Sequence, residues 1–136
     1  MAKQFEIYKC EVCGNIIEVL FEGAGELVCC EEPMTLMKEK TEEEMKEKHL
    51  PVFEKGLNGN ILVKVGEVPH PMTDEHYIQM IEVFGDEGIL ERKYLFPEQK
   101  PEFLVKLNQG VTHAREYCNI HGLWKADFAK GENNVI

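Results

Sequence analysis

The sequence predicts an all-β chain in two parts, a small metal-bound β unit followed by an immunoglobulin-like β-sandwich. Three observations predict it. Four cysteines crowd into the first 30 residues, as Cys10 and Cys13 in "CEVC" and Cys29 and Cys30 in "ELVCC". From Leu50 onward the chain breaks into short runs of β-branched and aromatic residues separated by turn signals. Between the two lies "MKEKTEEEMKEKH", residues 37–49, dense in charge and without Gly or Pro.

In the first part, residues 1–36, "FEIYKC" and "NIIEVLF" are rich in strand formers. Gly23-Ala24-Gly25 supplies a turn and "ELVCC" returns. So short a piece cannot bury enough apolar surface to fold alone, so a metal or a partner chain is needed. Residues 37–49 read as a hydrated boundary, with a short helix as the alternative. In residues 50–136, "GLNGNILVKVG" sets an Asn58-Gly59 turn ahead of a β-branched run. "HYIQMIEVF" and "ILERKYLF" flank "GDEG" as a hairpin, and "EFLVKL" follows two prolines. "LWKADF" alternates, with Trp124, Ala126 and Phe128 on one face and Lys125 and Asp127 on the other.

Composition narrows the function classes. A net charge of −10 argues against nucleic acid, which needs clustered Lys and Arg, and weakly against anionic membranes. "MAKQFEIYKC" has no apolar run suited to a signal peptide, and no segment is long enough to span a bilayer. The expected location is therefore cytoplasmic, where thiols serve as ligands or catalysts more often than as bridges. Five cysteines, four together and Cys118 apart, do not make a disulfide framework.

"CEVC" bends round one metal ion readily, and a second pair would complete a tetrahedral four-sulfur shell suited to zinc or iron. The adjacent Cys29 and Cys30 should diverge in a strand. The backbone must therefore twist sharply there for both sulfurs to reach one ion. The histidines are His49, His70, His76, His113 and His121. "PHPMTDEH" holds two of them, and "CNIHG" places Cys118 and His121 three apart. With His49 these make five candidate ligands on three stretches. Turn caps and a buried thiol are the bland alternatives.

Cys-x-x-Cys with Cys-Cys at this spacing resembles desulforedoxin, in which four thiolates hold one iron. The "EKH" at 47–49, "HP" with a histidine six residues on, and "CNIHG" resemble the superoxide reductase family, and the two parts together its two-iron form, desulfoferrodoxin. That resemblance implies a desulforedoxin-like unit over residues 1–36 and two iron ions per chain. It implies Cys10, Cys13, Cys29 and Cys30 as ligands of the first iron. His49, His70, His76 and His121 become equatorial ligands of the second and Cys118 its axial ligand. It implies that Lys48 attracts superoxide and that Glu47 occupies the open position in the ferric state. Further implications are superoxide as substrate, reduced by one electron to hydrogen peroxide, a rubredoxin-type electron donor and a homodimer. His113 matches no ligand. The competing readings are an electron carrier using only the four-cysteine iron, and a structural zinc module on an interaction domain.

Overall fold

The computed structural model describes residues 2–41, 49–56, 59–68, 70–106 and 110–128. Glu47, Lys48 and Asn58 lie outside the described residues. The chain separates into two compact units, Met1–Lys38 and Glu39–Ile136. Both are built of strands, and among the described residues no helix is long and apolar enough to cross a membrane.

The first unit carries β1 (Ile7–Lys9), β2 (Ile16–Glu18), β3 (Val28–Cys29), β4 (Glu32–Pro33) and β5 (Thr35–Met37). An antiparallel sheet runs β2-β1-β5, and β3 pairs with β4 in a separate hairpin. The buried apolar residues described here are Ile7, Cys10 and Val19. Each fully buried side chain stabilises by only about 1.5–3 kcal/mol. So small a core leaves the fold dependent on what the cysteines hold.

The second unit carries β6 (Pro51–Lys55), β7 (Ile61–Val65), β8 (Ile78–Gly85), β9 (Gly88–Tyr94), β10 (Glu102–Val105), β11 (His113–Cys118) and β12 (Gly122–Asp127). They form two antiparallel sheets, ordered β10-β7-β6 and β12-β11-β8-β9. Alternation decides the interior. Ile61, Val63 and Val65 of β7 face Ile78, Ile81, Val83, Ala114 and Cys118 of the other sheet. Ala126 and Phe128 pack against this core, as the alternation of "LWKADF" requires.

The opposite face of the four-stranded sheet is polar yet buried. Arg115 is 2% exposed and Glu82 0%, directly paired across β11 and β8. Arg115 Nε and Nη2 donate to Glu82 Oε1 at 3.0 and 2.7 Å. Arg92 Nε donates to Glu82 Oε2 at 2.9 Å, and Arg115 Nη1 reaches Glu39 Oε2 at 3.1 Å. Arg115 also lies over Phe84, which stacks on His113. His113 thus belongs to this face and not to a ligand cluster.

Candidate metal centres

In the first unit, Cys10 and Cys13 sit on a tight turn closed by the Gly14 N–H on the Cys10 carbonyl, 2.9 Å. Gly14 has φ +88, a conformation open to glycine, so the chain can turn back toward Asn15. The Cys13 N–H donates to Cys10 Sγ at 3.4 Å. The second pair answers the spacing problem. Cys30 and Glu31 form the two-residue loop between β3 and β4, and both have positive φ, 53° and 66°. Two successive left-handed residues make a type I′ hairpin turn. The reversal swings the Cys30 side chain to the side of Cys29, and their sulfurs stand 4.0 Å apart. Cys13 and Cys29 sulfurs are 3.6 Å apart. A tetrahedral ion with metal–sulfur bonds of about 2.3 Å separates its sulfurs by about 3.8 Å, so the four thiols fit one.

Their proton affinities fit the same purpose. Backbone N–H groups of Cys13 and Val12 bring Cys10 down to about 6. Cys30, hydrogen-bonded by the other sulfurs of the cluster, is pushed up to about 12. Cys29 is raised chiefly by Cys10. Metal binding takes the thiolate form, which a cation seated among the four sulfurs would favour.

The second constellation gathers at one end of the sandwich. His49 precedes β6, His70 and His76 lie between β7 and β8, Cys118 ends β11, and His121 stands just before β12. Their donor atoms all lie within 4.8 Å of one another. The four imidazoles form a closed square. Neighbouring ring centroids are 4.7 Å apart for His49–His70, 4.7 Å for His70–His76, 5.0 Å for His76–His121 and 4.7 Å for His121–His49. Successive planes are turned edge to face, between 69° and 80°. His49 Nε2 and His121 Nδ1 meet at 3.0 Å. Cys118 Sγ lies 3.5 Å from His70 Nε2 and 3.9 Å from His121 Nδ1.

Local structure aims each donor. The His70 Nδ1–H donates to the Pro71 carbonyl at 2.7 Å, which leaves Nε2 as its ligating atom. Burial also holds the His70 imidazole at about 4, so it is neutral at physiological pH. His76 is set by a turn in which the Thr73 and His76 backbones bond reciprocally at 3.0 and 3.2 Å. Where β8 meets β11, the register slips between Tyr117 and Cys118, leaving Gln79 as an extra residue. A bulge of this kind re-aims the side chain beside it, here Cys118. Burial pushes the Cys118 thiol up, while the N–H groups of His121 and Ile120 pull it back.

Three residues escape a reading of single motifs. Asn119 clamps the "CNIH" loop to the His76 segment: it accepts from the Tyr77 N–H at 2.9 Å and donates to the Glu75 carbonyl at 3.0 Å. Trp124 stacks on His49 at 4.7 Å and 12°, and its Nε1 donates to the His121 carbonyl at 3.1 Å. Lys40 Nζ donates to that same carbonyl at 2.8 Å. "CNIHG" itself carries Asn119, and the alternation of "LWKADF" puts Trp124 on one face with Ala126 and Phe128. Nothing in the sequence around Lys40 connects it to His121.

Four imidazoles and one thiolate suit a late first-row ion, and five donors leave one place of six for a small ligand. Four thiolates suit iron or zinc. The residues therefore fit two metal ions of different character.

Comparison with known proteins gives a consistent result. Residues 41–127 match the desulfoferrodoxin family, and residues 2–37 match the N-terminal domain of desulfoferrodoxin. A desulfoferrodoxin from Syntrophotalea carbinolica is 54% identical over 127 residues, covering 93% of this chain and 99% of its own. A superoxide reductase from Pyrococcus abyssi is 38% identical over 96 residues, 58% of this chain and 84% of its own. Among solved structures, the superoxide reductase from Treponema pallidum superposes with a TM-score of 0.72 at 30% identity, over 92% of this chain and 99% of its own.

Proposed function

This chain belongs to the desulfoferrodoxin family and is a superoxide reductase with two iron sites, and from that premise we propose how its residues divide the work. The observation that carries the division is the square of four imidazoles with a single thiolate beside it. Ferrous iron held by these five residues would supply the one electron that, with two protons, reduces superoxide to hydrogen peroxide.

His49, His70, His76 and His121 would hold the metal as neutral ligands, and Cys118 is the one of the five that would bring a negative charge. The site keeps a net positive charge toward an anionic substrate. A thiolate ligand donates electron density, as it does in thiolate-ligated haem. Among the described residues His121 is exposed while His70 and Cys118 are buried, so water can deliver protons from the His121 side.

Likeness to the family supports Lys48 as the cation that would attract superoxide and Glu47 as the carboxylate that would bind the ferric form. A local cation outweighs distant carboxylates because screening limits their reach to about 10 Å. Lys48→Ala is expected to slow the reaction with superoxide about tenfold at low salt and to flatten its salt dependence. A rate constant unchanged at every ionic strength would remove Lys48 from the mechanism.

Iron held by Cys10, Cys13, Cys29 and Cys30 would pass on electrons from a rubredoxin-type donor, in a cytoplasmic homodimer. Large apolar side chains stand exposed across the first unit, with Phe21 at 85%, Leu20 at 64% and Val12 at 58%, which supports a partner surface there. Cys13→Ser is expected to lower turnover with a protein donor while leaving the single-turnover reaction of the second iron intact. Equal loss of both would show that the first unit serves stability alone. Sedimentation at micromolar concentration tests the homodimer, a mass of one chain being the contrary result.

A further inference from the structure

Lys40 belongs to neither motif, yet it is tied to the second site from two directions. Its backbone extends the edge of β12, with the Lys40 N–H on the Leu123 carbonyl and the Lys125 N–H on the Lys40 carbonyl, each 2.9 Å. That pairing sets residue 40 opposite Trp124. Its ammonium then bonds the His121 carbonyl at 2.8 Å and lies 5.1 Å from the centre of the Trp124 ring. Trp124 is the ring that stacks on His49. One cation therefore touches the backbone of one imidazole donor and the aromatic neighbour of another.

Among the described residues, Lys40 makes no ion pair. The neighbouring Glu39 is engaged with Arg115 at 3.1 Å. Among the described residues, then, no carboxylate pairs with Lys40. A positive charge beside a redox ion disfavours the more highly charged state, so it favours ferrous over ferric. The same carbonyl accepts from Trp124 Nε1, and the two donors together hold the His121 loop against β12.

We propose that Lys40 is a positioning residue for the reductase site: its ammonium latches the His121 carbonyl and places a positive charge behind the Trp124–His49 stack, raising the reduction potential of the bound iron. The proposal rests on the reading of this centre as the iron site of a superoxide reductase. Lys40 does not touch substrate. It acts through His121 and Trp124.

Three variants separate charge from hydrogen bond. Lys40→Arg keeps both, Lys40→Gln keeps a donor without charge, and Lys40→Met keeps neither. The readouts are the midpoint potential of the second iron in the full-length, two-iron protein, and the tryptophan emission of the same protein. Trp124 is the chain's one tryptophan, so its emission reports on the ring under Lys40 directly. The potential should fall in Lys40→Met and in Lys40→Gln and return in Lys40→Arg, with emission shifted in Lys40→Met. An unchanged potential in Lys40→Met would overturn the proposal. So would a potential lost in Lys40→Met but kept in Lys40→Gln, which would leave only a hydrogen bond. Lys40→Gln and Lys40→Arg carry the comparison if Lys40→Met loads iron poorly. Failure of the parent protein to consume superoxide would instead sink the reductase reading, and the potentials would still decide the role of Lys40.

Discussion

Cys118→Ser is expected to leave a folded chain that retains its four-cysteine iron and loses superoxide reduction by roughly 100-fold or more. Even partners outside the coordination shell typically change metal affinity or activity by about 10- to 100-fold, and Cys118 is a direct donor. Its sulfur sits within 3.9 Å of two ligating nitrogens, is fully buried, and is the only anionic donor of the five. A serine hydroxyl occupies nearly the same space without the soft, readily ionised sulfur. The thiolate-to-iron absorption of the second site should vanish while that of the tetrathiolate remains. Persistence of both bands with full activity would show that Cys118 is only a core residue.

Glu82→Leu is expected to destabilise the sandwich by about 3–5 kcal/mol, because it strands the Arg115 guanidinium in a buried setting. Of the two carboxylates described on Arg115, Glu39 would remain, and its side chain is 37% exposed and so holds it less firmly. At roughly 4–8 °C per kcal/mol for a domain of this size, the melting temperature should fall by more than about 12 °C. The double variant Glu82→Leu/Arg115→Leu should recover much of the loss, since it removes both charges together. Equal instability of single and double variants would mean that shape, and not charge, makes this row matter.

That row also explains what the sequence concealed. "HAREYC" reads as polar surface, yet β11 lies in the middle of its sheet with Arg115 and Glu116 buried. Arg115 is held by an ion network whose other half, Glu82 and Arg92, is supplied by β8 and β9. No local pattern announces such pairing across 33 positions of chain. β6 is similarly unmarked because "PVFEK" opens on a proline and follows its buried phenylalanine with two charges. By contrast the β-branched run in "NGNILVKV" and the alternation of "LWKADF" reveal their strands locally.

The two metal centres differ in legibility for a similar reason. Cys10, Cys13, Cys29 and Cys30 lie close in sequence, so chemistry and spacing suffice to bring them together, and the type I′ turn at Cys30-Glu31 supplies the expected twist. His49, His70, His76, Cys118 and His121 meet only after seven strands have packed, and the sandwich brings all five to one end. Their grouping could be anticipated from the resemblance of "EKH", "HP" and "CNIHG", not from spacing. Trp124 and Lys40 belong to the same site through stacking and a carbonyl contact, interactions that leave no motif.

The central claim is that one chain holds a tetrathiolate iron and a separate four-histidine, one-cysteine iron that reduces superoxide. Metal analysis joined to visible spectra tests it most directly, on protein taken from fully oxidised to ascorbate-reduced and then exposed to superoxide. The expected result is two irons per chain, a ferric tetrathiolate spectrum that persists in ascorbate, and a second thiolate-to-iron band that returns as superoxide is added. One iron per chain, or zinc with no visible band at the histidine site, would contradict it.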